Sequence, residues 1–376
     1  MKKTILIEAI GGTGWIGGIY YKKNIVFSLL QNSNISKKYR IVVFTNRENE
    51  NVFDDLPEIT IKCINSKRWL SAKLLSFCVL NRVKYLFSRN ADKLKLIGIT
   101  TISWIPDFQH NHYPENFSND NLNMLNTYYS KIANSKSPLV LSSNNCKDDF
   151  EKYYSSNKKN VYVVPFVSAI ESMLIKLNEG YCKDVLKKYS IVGKYICIMN
   201  QFWKHKNHKI VFQALKQIAQ KYQNEVFEIV CTGSMDDYRN PEYINELKTI
   251  LSEEKIKNKV RVLGFIDRLE QLALMKNAEF IIQPSLFEGW GTVVEDAKVL
   301  DKTILLSDIP VHREQMNEKC ILFDPHNPKE LADLIQQECY KEHHDNIEKG
   351  ITDMKKMALE YSKGFEQLLR DQEKSR

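Results

Sequence analysis

Short apolar runs of strand length recur along this chain, each followed by a turn and then by a helical pattern. In the first part they are Thr4 to Ile10, Ile41 to Thr45, Leu96 to Ile102, Leu139 to Ser143 and Val161 to Pro165. In the second they are Tyr195 to Asn200, Phe227 to Cys231, Val260 to Leu263, Ala278 to Ile282 and Ile304 to Leu306. Runs that are apolar throughout suit strands covered on both faces, and strands alternating with helices predict a doubly wound α/β sheet. The 376 residues, 43% of them apolar, predict two domains of ordinary size, each with its own core. Segment 166–190 has no periodic core and reads as a linker with a short helix. The domains are therefore placed at 1–170 and 171–355, with a terminal helix over 356–376.

In an open α/β sheet, ligands bind outside the carboxyl ends of the strands. The stretch from Gln283 to Ala297 fits such an end. It follows the apolar run Ala278 to Ile282, and Glu295 to Leu300 continues it as a helix. Glu288 is placed to accept hydrogen bonds from ligand hydroxyls. Gly289 and Gly291, on either side of Trp290, let a ligand approach the backbone, and the N–H groups from Gly289 to Thr292 favour an anion. Asp296 lies eight positions beyond Glu288, with Glu295 one short of it. Hydroxyls and phosphates together point to a nucleotide sugar. A second phosphate-friendly loop, Gly11 to Gly18, follows the first strand and precedes a helix read as Ile19 to Leu30.

Pro284-Ser285-Leu286-Phe287-Glu288-Gly289-Trp290-Gly291 resembles the P-S-x-x-E-G-F-G signature of retaining glycosyltransferases of the GT-B fold, the group 1 or GT4 family. Leu305 to Glu314 resembles the family's next strand and loop, and Gly17-Gly18-Ile19 resembles the Gly-Gly pair that faces the donor phosphates. In Gln201 to His208, Lys206 matches a lysine on the donor diphosphate. Gln201 stands where the family has an arginine, and Lys204 is the candidate to compensate. The family's second glutamate falls on Asp296, with Glu295 as the alternative ribose ligand. Asp107 and Tyr113-Pro114-Glu115 match a His-Asp and Tyr-Pro-Glu pattern in which Pro106 replaces the histidine. His110, three residues after Asp107, is a candidate for the cleft or for a loop histidine bonded to the backbone.

The resemblance implies two Rossmann-like domains facing across a cleft, with the C-terminal helix crossing back to the first. It implies metal-independent transfer of a hexose-type sugar from a UDP-, GDP- or ADP-sugar to a hydroxyl acceptor, with no cofactor. The acceptor is expected to be a glycan or a lipid-linked sugar in bacterial cell-surface polysaccharide, lipopolysaccharide or glycolipid assembly. Glu288, Lys206 and His110 are the catalytic candidates. Donor binding falls to Gly17, Gly18, Gln201, Lys204, Gly289, Trp290, Gly291, Thr292, Glu295 and Asp296. No metal ligand and no nucleic-acid partner is expected.

Two other readings compete. Gly12-x-Gly14-x-x-Gly17 also fits the dinucleotide fingerprint, and Tyr154-x-x-x-Lys158 fits the catalytic spacing of nucleotide-sugar epimerases. Against an epimerase, the second strand ends on Asn46 and Arg47 rather than an acid, and Tyr154 to Lys158 reads as a helix end. A non-catalytic sugar-nucleotide-binding protein is favoured by Gln201 and Pro106 and opposed by Glu288 and Lys206.

Charge is uneven. Residues 1–95 hold 17 Lys or Arg against seven Asp or Glu, while the whole chain carries +8. Over 67–89, Trp69, Leu70, Leu74, Phe77, Leu80 and Phe87 alternate with Lys67, Arg68, Lys73, Arg82, Lys84 and Arg89. This pattern predicts either an anionic membrane surface as partner or a core helix with a solvated basic face. The eight scattered cysteines suit reduced thiols. The apolar run before Glu8 is too short for a signal peptide, and no stretch reaches the length of a membrane span. The expected location is cytoplasmic, peripheral on the inner face of the plasma membrane where the basic segment binds.

Overall fold

In the computed structural model, residues 2–11, 16–63, 72–88, 98–154, 160–221 and 227–374 are described. The chain divides into two compact units. Met1–His112, Asn119–Ala169 and Met354–Arg376 form the first, and Tyr113–Ser118 with Ile170–Asp353 the second.

The first unit holds a seven-stranded parallel sheet. Its strands are β1 (Lys3–Ala9), β2 (Tyr39–Thr45), β3 (Thr60–Cys63), β4 (Val83–Phe87), β5 (Thr100–Ile105), β6 (Leu139–Leu141) and β7 (Val161–Val163). They lie in the order β3-β2-β1-β4-β5-β6-β7. Ile5, Leu6 and Ile7 of β1 are wholly buried, as a strand covered by helices on both faces requires. The helix Ile16–Gln31 packs Tyr21 flat on Trp104, with ring centroids 4.0 Å apart.

Two expectations here are corrected. The basic amphipathic stretch 67–89 is not one helix. A helix over Ala72–Leu80 ends in a turn, and Val83–Phe87 is a central strand with Tyr85 and Phe87 fully buried. Charge counting hid the run Tyr85-Leu86-Phe87, which belongs to the sheet and not to a surface. Lys67, Arg68, Trp69, Leu70 and Arg89 lie outside the described residues. The strand expected over Leu96 to Ile102 begins instead at Thr100 and runs to Ile105, continuing through Trp104 into the core.

The second unit holds a six-stranded sheet in the order β10-β9-β8-β11-β12-β13, again with every pair parallel. Its strands are β8 (Lys194–Met199), β9 (Phe227–Thr232), β10 (Val260–Val262), β11 (Ile281–Gln283), β12 (Ile304–Ser307) and β13 (Cys320–Phe323). One apolar core spans the sheet and the helices His208–Lys221 and Pro328–Cys339, with Phe212, Leu215, Phe280 and Leu331 fully buried. Segment 166–190 supplies two helices, Glu171–Leu174 and Glu179–Lys188. Among the described residues no helix is long and apolar enough to cross a membrane.

The last helix, Ile347–Lys374, packs residues 354–374 onto the first unit. Asn32 donates to Ser362 and to Glu366, both at 2.9 Å, and Phe365 meets Phe87 edge-on. Gly364 permits the approach, because a Cβ there would stand 2.3 Å from the Val163 carbonyl oxygen. Gly364→Ala is therefore expected to lose about 1–3 kcal/mol through overpacking against a fixed backbone. A thermal melt should fall by about 2–4 °C per kcal/mol for a unit of this size.

Candidate functional site

The second sheet reverses its winding between β8 and β11. From β8 the chain proceeds outward to β9 and β10, and it returns on the other side at β11. The loops leaving the two adjacent strand ends must diverge, and the crevice between them is where an open sheet binds ligand. Asn200 and Gln283, one at each strand end, join side chain to side chain at 2.8 Å. The Leu286 N–H donates to the His205 carbonyl at 2.7 Å, tying the loop after β11 to the loop after β8.

Lys206 and Glu288 meet across this crevice at 2.5 Å. Lys206 sits in the short turn Lys204–Lys206. Asn207 then takes the left-handed conformation, φ 55°, before the helix His208–Lys221 begins. Asparagine tolerates that backbone, and its amide donates to the Pro325 carbonyl at 2.9 Å. The same oxygen of Glu288 also accepts from Gln283 Nε2 at 2.9 Å and Ser285 Oγ at 2.8 Å. The Lys206 and Glu288 side chains keep 16% and 10% of their exposure, so the pair is enclosed yet reachable.

Burial pushes the Glu288 carboxyl up. The Lys206 charge and hydrogen bond, His312 and Ser285 together outweigh it and hold the pKa below the ordinary glutamate value. Glu288 thus adds stability that is present above the ordinary glutamate pKa and lost as pH falls through the lowered one.

Behind the loop, Ser307 Oγ donates to the Ser285 carbonyl at 2.6 Å. His312, fully buried, places Nδ1 2.9 Å from the Ser307 carbonyl. A carbonyl only accepts, so Nδ1 carries the proton. Burial lowers the His312 pKa to about 4 against the pull of Glu288, so the ring is neutral near pH 7. His312 lay inside a stretch recognised by resemblance, but its bracing of Ser285 through Ser307 had no signal in the sequence.

The helix Thr292–Val299 opens at Gly291, which has no side-chain cap. Thr292 is half-buried at its first turn, Gly289 is half-buried and Trp290 is buried. The expectation that all N–H groups from Gly289 to Thr292 face an anion is corrected at Gly291. Its N–H donates to Gln315 Oε1 at 2.9 Å, and Gln315 Nε2 returns to the Gly291 carbonyl at 3.1 Å.

The ribose assignment also meets a correction, because both acids turn inward. Asp296 is fully buried against Arg268 at 2.5 Å. Glu295 is buried against Lys298 at 3.0 Å and Gln315 at 2.9 Å, and burial raises its pKa despite them. Helical period explains the miss: both positions fall on the helix side that packs against its neighbours.

Gln201 accepts the Ser234 N–H at 2.7 Å and so braces the turn after β9. Lys204 is exposed. A cation that sequence reading missed lies nearby. Arg239 stacks over Trp203 at 4.6 Å and is held by buried Asp237 at 3.1 Å, which also accepts the Lys204 N–H at 3.2 Å. Tyr113–Ser118 joins this unit. The Tyr113 hydroxyl reaches the Leu286 carbonyl at 3.5 Å, and Phe117 lies 5.6 Å from the Arg239 guanidinium carbon.

The remaining candidates belong to the first unit. Gly17 and Gly18 lie in the first turn of the helix Ile16–Gln31, Gly17 exposed with open space where a Cβ would stand. Gly12 to Trp15 lie outside the described residues. His110 is buried, 3.1 Å from the Tyr154 hydroxyl and edge-on to Tyr129, and burial lowers its pKa. Asp107 caps the His110 helix by accepting the Gln109 N–H at 3.0 Å. Half-buried Tyr154 donates its hydroxyl proton to the Asn126 side-chain oxygen at 3.1 Å; Lys158 lies outside the described residues.

Comparison with known proteins places the match on the second unit. Residues 190–352 match the family of group 1 glycosyl transferases. The O-antigen biosynthesis glycosyltransferase WclY of Escherichia coli is 25% identical over 132 residues, 35% of this chain and 33% of the relative. The O-antigen chain mannosyltransferase RfbU of Salmonella typhimurium is 24% identical over 190 residues, 50% of this chain and 47% of the relative. The chain thus spans about a third to a half of these curated relatives. The crystal structure of Anabaena HepE in complex with UDP and glucose is similar over the full length of both chains, with a TM-score of 0.63 at 14% identity. Two doubly wound parallel sheets of this kind are the GT-B fold.

Two outcomes are expected. Lys206→Met removes the main force opposing burial, so the Glu288 pKa should rise above the ordinary glutamate value, read by a carbon-13 carboxyl titration. Asp296→Asn takes the charge from the fully buried end of the pair with part-buried Arg268 and should cost about 1–3 kcal/mol in urea unfolding.

Proposed function

We propose that the protein is a retaining glycosyltransferase that moves a hexose-type sugar from a nucleotide-diphospho-sugar to a hydroxyl acceptor. The acceptor is a glycan or lipid-linked sugar of cell-surface polysaccharide, lipopolysaccharide or glycolipid assembly. The observation that carries this reading is the Lys206–Glu288 pair, 2.5 Å apart at the switch point of a sheet whose residues match group 1 glycosyl transferases. The O-antigen roles of the two curated relatives, and the UDP and glucose held by HepE, support the substrate class.

In this reading Glu288, kept ionised by its surroundings, accepts hydrogen bonds from sugar hydroxyls. Those bonds strengthen as the sugar gains positive charge in the transition state. Lys206 turns from Glu288 to the leaving diphosphate, whose negative charge grows as the bond breaks. The uncapped start of the helix Thr292–Val299 adds N–H donors for a phosphate. The leaving phosphate takes the acceptor proton, so no protein base is assigned. The enzyme works without a metal, in the cytoplasm, at the inner face of the membrane.

A nucleoside diphosphate should raise the melting temperature, adding about 2.7 kcal/mol at a hundred times its dissociation constant. A rise with NADP and none with UDP, GDP or ADP supports the epimerase instead. Glu288→Gln should lower kcat roughly a hundredfold, about 3 kcal/mol, with little change in donor affinity. Normal turnover by this variant removes Glu288 from the mechanism. Transfer should persist in EDTA, and its loss with recovery on magnesium or manganese rejects the metal-free route.

A further inference from the structure

The first unit has a concave feature at the strand ends opposite to those where a doubly wound sheet binds its ligands. A recess of about 490 Å³ lies across the N-terminal ends of β1 to β4, which stand side by side in the sheet. Lys2 precedes β1, Arg40 is the second residue of β2, Glu58 precedes β3 and Arg82 precedes β4; all four line the recess. Three cations therefore face one carboxylate.

Among the described residues, none of Lys2, Arg40 and Arg82 has an ion-pair partner. Lys2 donates to the Ser36 carbonyl at 2.6 Å and Arg40 to the Asn81 side chain at 3.0 Å, both neutral acceptors. Glu373 reaches Tyr39 on the lining, but its carboxylate is bonded to Lys38.

The backbone supplies a second observation. Arg82 and Glu58 have φ of 52° and 59°, in the left-handed region that few non-glycine residues adopt. Arg82 follows the helix Ala72–Leu80 and bonds its N–H back to the Val79 carbonyl at 3.1 Å. Glycine is the usual residue at such a helix end. Charged residues held in a disfavoured conformation around a recess point to a function there. The lining includes one exposed apolar side chain, Leu80 at 81%, and Val79, the residue before it in the chain, is 64% exposed.

We propose that this recess binds the phosphate group of an anionic lipid, with Leu80 and Val79 entering the interfacial layer beside it. Cations next to exposed aliphatic side chains match a headgroup above its acyl chains. A free phosphate ester would leave Val79 and Leu80 without a role. The proposal concerns the first unit alone and holds whether or not the chain transfers sugar.

The test is flotation of the full chain with phosphatidylcholine vesicles, alone or with one part in four phosphatidylglycerol. Binding is expected only with the anionic lipid and should weaken as salt is raised. The double variant Arg40→Gln, Arg82→Gly removes two charges, and glycine relieves the left-handed strain, so the fold is kept. At about 1 kcal/mol, or roughly fivefold, per charge, binding should weaken about 25-fold. Lys2→Gln, outside the sheet, provides a second variant and should weaken binding about fivefold. Leu80→Ser should reduce binding with the salt dependence unchanged. Variants that float like the wild type overturn the proposal. So does a wild type that ignores both vesicles, whether or not it binds glycerol phosphate in calorimetry.

Discussion

The candidate site depends on one ion pair held between two loops that the sheet itself drives apart. Lys206 and Glu288 leave β8 and β11, the adjacent strands at which the winding reverses. Without a link, loops diverging from a switch point have no reason to share a geometry. The Leu286–His205 and Asn200–Gln283 bonds join them, and the 2.5 Å contact adds a charged link that burial strengthens because little water screens it. The same burial would neutralise Glu288 if Lys206 were absent. The pair keeps a carboxylate charged at the mouth of the crevice, which water alone does not do in so enclosed a place. An anion arriving in the crevice competes for Lys206 and frees Glu288 to accept other donors. That exchange is the chemical basis of the proposed role.

Much of the surrounding structure serves to hold that pair still. Gln283 and Ser285 both donate to the Glu288 oxygen that Lys206 binds. Ser307 and neutral His312 fix the Ser285 carbonyl from behind. Gln315 clamps both backbone groups of Gly291, so the start of the next helix is set by a side chain 24 residues away. Arg268 and Asp296 close the far side of that helix with a fully buried carboxylate. The partners come from several elements, with His312 and Gln315 on one short helix, so a small shift in any one strand is resisted by the rest. Orientation of this kind lets a single carboxylate distinguish a transition state from a ground state.

The two units divide their chemistry. The second gathers amides, hydroxyls and an enclosed yet reachable ion pair at its strand ends. The first concentrates basic side chains around its sheet, and its strands are buried enough that those charges collect at turns and ends. Arg40 and Arg82 flank strands whose interiors are apolar, so their side chains have only the rim of the sheet to occupy.

The sequence by itself determined the fold class and which loop follows a central strand of the second sheet. Uninterrupted apolar runs require strands with helices on both faces, and the loop after Ile282 places Glu288 at a strand end. Lys206 was legible through its match to a family lysine, and the structure sets it in a short turn after β8. Elsewhere local pattern was insufficient. The run Tyr85-Leu86-Phe87 hid within a basic stretch, since charge density says nothing about which backbone is central. Asp296 and Glu295 were read as ligand contacts by spacing along the chain. Their inward turn is decided by what packs on the helix, namely Arg268, Lys298 and Gln315. Arg239 and His312 carry no local signature, because their meaning lies in partners brought near only by the sheet. Sequence sets what each segment prefers, and spacing sets which loops lie at a strand end. Which carboxylate meets solvent and which meets an arginine is settled by burial, a property of the assembled chain alone.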